Sequence, residues 1–319
     1  MPTLLVTKNM SPALAARVQA AVSGRRGSQD SRRNPLAGAL RVVTFVLLLA
    51  AAAGVVQVRR QRAAELEAAR ASLLTKMRSA AAQLSRADLE LKGRAESAVA
   101  LHAVPLYPGD LLADELRSER GLHDALSRPT LYIRGPLDGL ANAARLAELA
   151  ASSFKDALVA CLLDAPDART EQALRRKASA KAEPATAQVE RLAPLLQALP
   201  LLGRAWQQRV ESAATLEALS QLQKLYEVAP IPAALRAAKA RQILIVMDEA
   251  GAIGGPTELD GERAHPVRLV LVDLTSGEVR LRFRRNVDPS WLSDNARAQN
   301  ASGIDSCTLA FDLHQAIGR

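Results

Sequence analysis

Residues 42–58 (VVTFVLLLAAAAGVVQV) carry no charged side chain, while Arg41 precedes them and Arg59, Arg60 and Arg62 follow. At about 1.5 Å of rise per residue a helix over this run covers ~25 Å, and Leu36, Ala37, Ala39 and Leu40 lengthen it when Arg41 snorkels to the headgroups. The pattern predicts a single transmembrane helix over residues 36–58, kept as a signal-anchor in a lipid bilayer. Two other readings compete. A buried helix of a soluble domain rarely carries arginines at both ends. A cleaved export signal would use Arg32-Arg33 and the small residues 50–54, but Pro35 stands where such a signal usually has an apolar residue. Orientation does not follow from charge, because Arg25, Arg26, Arg32 and Arg33 on one side balance Arg59, Arg60, Arg62 and Arg70 on the other. The default is a short basic tail, residues 1–35, inside and a large C-terminal domain outside.

A helical rhythm takes over after the anchor. Leu66, Leu73, Met77, Ala80 and Leu84 recur at helical spacings, which predicts a juxtamembrane stalk over residues 59–104. That stripe would serve either a self-paired coiled coil, making a homodimer, or a helix lying against the globular domain. Ser85 followed by Asp88 has the form of a helix cap, so a second helix restarts there and runs to about residue 103. Pro105, Pro108 and Gly109 then end helical structure.

Residues 105–319 read as one globular domain of α/β, mixed α+β class, with about five strands and a C-terminal β-hairpin. Strand chemistry appears at 130–134 (TLYIR), in the apolar run 156–163 (DALVACLL) and at 242–247 (QILIVM). With a helix over 137–152 between them, the first two would form a parallel crossover unit. Further helices are expected at 110–122, 171–182, 186–199, 202–228 and 233–240. The hairpin comprises 266–273 and 278–284, joined by Thr275-Ser276-Gly277. In its second strand Val279, Leu281 and Phe283 should share one face and Arg280, Arg282 and Arg284 the other, with Arg268 extending an arginine row. Such a row suits an anionic partner; as a solvated edge it would equally resist aggregation.

Composition narrows the function classes. The formal net charge is +9 and aromatic residues are only 3%, and much of the basic excess sits beside the anchor, where an anionic leaflet attracts it. Base-stacking aromatics are not interleaved with the basic residues, so nucleic acid is not the expected partner. Cys161 and Cys307 are the only cysteines and fit no zinc or redox spacing. In an oxidising compartment they are candidates for a disulfide closing a very long loop.

The glycine-rich, acidic segment 249–265 is the candidate for chemistry: Glu258, Asp260 and Glu262 alternate, and His265 adds a nitrogen ligand or general base. It has neither the lysine of a P-loop nor a G-x-G-x-x-G spacing. Nor does Ser290-Trp291-Leu292-Ser293-Asp294 resemble a nucleophile elbow. No motif implies a cofactor or a metal. The expected role is therefore binding or scaffolding in a bacterial inner membrane, with a periplasmic C-terminal domain and an envelope protein or polymer as partner. The rival from another class is a membrane-tethered hydrolase or metal-dependent enzyme working through Glu258, Asp260, Glu262 and His265.

Overall fold

The computed structural model describes residues 35–153, 157–180, 188–250 and 264–317, and the chain divides into two units, Met1–Glu65 and Leu66–Arg319. A helix, α1, runs Pro35–Ala81. In the first unit its apolar residues are solvent-facing: Phe45, Leu47 and Leu48 expose 63%, 64% and 64% of their surface. No helix among the described residues is long and apolar enough to cross a membrane. Val42 and Val43, the first two residues of the apolar run, have side chains outside the described set.

The second unit is a mixed α+β fold around a six-stranded mixed sheet in the order β1-β6-β5-β4-β2-β3. Three of its strands form where apolar and β-branched residues concentrate: β2 (Thr130–Pro136), β4 (Gln242–Asp248) and β5 (His265–Asp273). β4 is buried at every position. It pairs parallel with β2 and antiparallel with β5, which continues into β6 (Val279–Val287). The β5–β6 turn is held by the Asp273 carboxylate, which accepts from Thr275 and Ser276 backbone N–H, and by Gly277, whose φ of +77° suits glycine.

Alternation along these strands feeds two cores. Leu131, Ile133, Ile243, Ile245, Met247 and Val270 pack against α2 (Arg86–His102) and later helices; Tyr132, Leu244, Val246, Leu269, Leu281 and Phe283 pack on the opposite face. The capping box at Ser85 and Asp88 starts α2. The C-terminal end of α1 joins the same unit: Leu73, Leu74 and Met77 are buried with Val210, Ala213, Leu219 and Leu222.

Several expectations are corrected. The run 156–163 is not a strand; its described part contains a helix, α3 (Leu158–Leu163), with Leu158, Cys161 and Leu162 buried at helical spacing. A continuous apolar run shows burial, and periodicity alone does not separate a buried helix from a buried strand. The parallel neighbours of β2 are instead β4 and a three-residue strand, β3 (Val189–Arg191), inside the stretch read as helix. The expected helix at 110–122 gives way to the two-residue strand β1 (Leu111–Leu112) and later short helical turns. The long helix over 202–228 breaks before Thr215, whose hydroxyl caps a new helix by accepting from the Ala218 N–H.

The hairpin faces also differ from simple alternation. A register irregularity at Leu271/Val272 puts Val279 with the Val270 core, while Leu281 and Phe283 join the opposite one. An extra residue in one strand reverses the sidedness of what precedes it. Arg280 consequently lies with Leu281, donating to the side chains of Gln242 at 3.1 Å and Glu115 at 3.0 Å.

Cys161 and Cys307 are joined by a disulfide, with Cα atoms 5.2 Å apart and a sequence separation of 146. The bond ties α3 to the C-terminal helix α4 (Asp294–Ile317) within a fully buried core. Reduction, or Cys161→Ser with Cys307→Ser, is expected to lower stability by ~4–5 kcal/mol in the chain-entropy account, read as a fall in the unfolding midpoint of the oxidised chain. Met77 is 0% exposed, so Met77→Ala should cost about 2–5 kcal/mol in the same assay. A freely projecting stalk would show no loss.

Candidate functional site

The polar chemistry of the second unit concentrates at one end of the sheet, where β2 and β4 finish, β5 begins and β6 finishes. β4 ends there in two consecutive acids, Asp248 and Glu249. Successive side chains of an extended segment point to opposite faces, so the two carboxylates serve different arginines.

Asp248 accepts from Arg134 in a bidentate pair, Nε at 3.0 Å and Nη2 at 2.8 Å. The remaining Arg134 nitrogen, Nη1, donates to the Ser306 hydroxyl at 2.8 Å. His265 Nε2 lies 3.3 Å from Asp248 Oδ1. Burial alone would push the Asp248 carboxyl up, but the Arg134 guanidinium and the His265 bond hold it well below the usual carboxylate range. An ionised carboxylate only accepts, so His265 Nε2 carries the proton in this contact. Histidine, aspartate, arginine and serine thus form one connected group, with the carboxylate and the Ser306 hydroxyl both accepting from Arg134.

Glu249 accepts from Arg268 Nε at 2.6 Å and from Arg284 through Nε at 2.6 Å and Nη2 at 3.0 Å. Burial raises its carboxyl, and the two arginines overcome that and leave it lowered. Arg268 is buried; its other nitrogens donate to the carbonyls of Val104 at 2.6 Å and Pro105 at 2.8 Å. The same stretch supplies the Gly109 carbonyl to Arg282 at 2.6 Å and the Asp110 carboxylate to Arg285 at 2.7 Å. Tyr107 stacks over this group, its ring centroid 5.4 Å from Arg268 Cζ and 5.7 Å from Arg284 Cζ. Its hydroxyl donates to Asp110; burial, then that acceptor, raise its pKa.

The expected arginine row is thus dispersed. Arg268 and Arg284 share Glu249, Arg282 holds the crossing segment, and Arg280 lies buried on the other face. An open face bearing all four is replaced by a strap, residues 104–110, whose carbonyls and acid occupy the cations. Of the acidic-loop candidates, His265 is placed against Asp248, while Glu258, Asp260 and Glu262 lie outside the described residues. Among the described residues no cluster of three or more His, Cys, Asp or Glu could hold a metal ion. Arg134 and Tyr107 were not sequence candidates, because the groups that Arg134 pairs with and the arginines under the Tyr107 ring lie more than a hundred residues away along the chain.

No protein-family model, curated protein or solved structure matches the chain. The site therefore stands on its own geometry, which neutralises charge within the fold and leaves the strap's outer surface, with Leu106 78% exposed, facing solvent.

Asp248→Asn would leave Arg134 in a largely buried position without its carboxylate, at an expected cost of about 3–5 kcal/mol in denaturant unfolding at neutral pH. The sign of the pH dependence follows from the lowered native pKa: the native state holds the carboxylate deprotonated, so its contribution is complete above the unfolded value and fades as pH falls toward the native one. The gap between wild type and Asp248→Asn should accordingly narrow below about pH 4. A gap that stays constant with pH would show that the ion pair is not its source.

Proposed function

We propose that the chain is a single-pass, membrane-anchored binding or scaffold protein of a bacterial cell envelope, with the Leu66–Arg319 unit on the periplasmic side of the inner membrane. The observation that carries this reading is the solvent-facing apolar surface of α1, from Phe45 through Leu49 and again at Val55, Val56 and Val58. Contiguous apolar side chains on this scale are unfavourable in water at roughly 25 cal/mol per Å², and a bilayer is the medium that removes the cost. The arginines at 59, 60 and 62 suit the headgroup zone at the end of such a span.

The compartment is supported by the Cys161–Cys307 disulfide, because buried structural disulfides persist where thiols are oxidised and are rare in a reducing cytosol. A binding role is supported by the way the polar end of the sheet is built. Asp248, Glu249, Arg134 and Arg268 are committed to one another or to backbone, which suits a scaffold holding a surface in place. That surface is the strap, where Leu106 and Val104 are exposed next to the partly exposed Arg284 and Arg285. An envelope partner presenting apolar and acidic groups would complement it.

Two measurements on the full chain in cells test this reading. Alkaline carbonate extraction should leave the protein in the membrane pellet, and thiol trapping before lysis should find Cys161 and Cys307 oxidised. Release by carbonate would overturn the anchor. Free thiols in intact cells would move the domain to the cytoplasm.

A further inference from the structure

A cleft of about 330 Å³ opens between α2 and the β5–β6 turn, away from the strap's arginine cluster. Its volume falls in the range of small-molecule sites. Ala98 and Leu101 on the helix and Val272 and Leu274 on the hairpin give it apolar walls, while Arg94 and His102 supply its nitrogens. Arg94 makes its two hydrogen bonds to backbone, Nη1 to the Leu274 carbonyl at 3.3 Å and Nη2 to the Ala87 carbonyl at 2.6 Å. Neither neutralises its charge. Its Nε is buried with no hydrogen-bond partner among the described residues, and so is His102 Nε2.

Arg94 Nε is an unsatisfied donor, and His102 Nε2 is one in the tautomer that carries its proton there, so a ligand acceptor that reaches them offsets a desolvation cost. The acid in the lining, Asp273, stays ionised and holds the turn by accepting from the Thr275 and Ser276 N–H groups, at the hairpin end of the cleft. Burial, and then the nearby Arg282 charge, lower the His102 pKa and favour its neutral imidazole. The cleft therefore combines a guanidinium whose hydrogen bonds among the described residues go to backbone carbonyls, a nearby imidazole and an apolar floor. Such a set matches a ligand with one small anionic head and a short hydrocarbon body. A phosphate would find few donors here and an apolar surface it cannot use.

We infer that this cleft binds a small monocarboxylate carrying a short branched apolar chain, with the carboxylate at Arg94 and His102 and the chain against Leu101, Val272 and Leu274. Binding there is independent of the compartment in which the domain resides.

The test uses the full chain in an uncharged detergent and reads thermal unfolding and calorimetric titration with 4-methylpentanoate, with 4-methylpentylamine and inorganic phosphate at matched ionic strength as controls. The carboxylate should raise the unfolding midpoint in a concentration-dependent way, and the amine and phosphate should not. Arg94→Gln should weaken carboxylate binding by roughly tenfold or more, as expected for losing one charge-assisted pair. Gly93→Leu keeps the charge and fills the space: a Cβ built at Gly93 meets nothing within 4 Å, so the helix tolerates it while the cleft closes. It should abolish binding without lowering the unliganded midpoint. Equal stabilisation by the amine or by phosphate, no response to the carboxylate, or wild-type affinity in Gly93→Leu would each overturn the assignment.

Discussion

Asp248 and Glu249 stand side by side at the end of the most buried strand, and strand geometry sends them to opposite faces of the sheet. Each meets an arginine that the fold has largely removed from water, Arg134 on one side and Arg268 on the other. Removing charges from water costs several kcal/mol apiece, so these cations are tolerable only because a carboxylate and further acceptors surround each one. The Ser306 hydroxyl completes the first set, and the Val104 and Pro105 carbonyls complete the second. The C-terminal helix and the strap are thus both registered on the sheet by one pair of adjacent acids.

The remaining architecture distributes that constraint. β4 lies between β2 and β5, so its apolar alternation supplies both cores. The disulfide links two helices of one layer across a sequence separation of 146, and the C-terminal part of α1 packs into a satellite core with the helices around Val210 and Leu222. Residues 66–81 of α1 are consequently part of the packed unit rather than a separate rod. Together with the solvent-facing apolar stretch between Phe45 and Val58, α1 combines an exposed apolar surface with a stripe that is already covered within the chain.

The polar end of the sheet and the cleft beside α2 hold their charges in different ways. The polar end of the sheet spends its charges internally, with Asp248 on Arg134 and Glu249 on Arg268 and Arg284. The cleft beside α2 differs in kind. There Arg94 bonds only backbone carbonyls and two nitrogens lack hydrogen-bond partners among the described residues, in a space large enough for a small ligand.

Local chemistry carried a good deal of this. The Ser85 cap, the strands at 130 and 242, the hairpin with its Gly277 turn, and the apolar segment of α1 were legible because each depends on spacing or conformational preference within a few residues. The helix at 158–163 was not, since an apolar run reports burial without period, and β1 and β3 are too short for any pattern to register. The arginine row dissolved for a related reason: alternation assumes an unbroken register, and one irregularity at Leu271 moved Val279 and Arg280 to the faces opposite those expected. Which carboxylate would meet Arg134 or Arg268, and that a strap from residues 104–110 would cover the row, depended on partners more than a hundred residues away. The sequence by itself determined which segments are apolar, capped or turned; tertiary structure alone decided which charges meet, because ion pairing depends on distances in space that spacing along the chain does not encode.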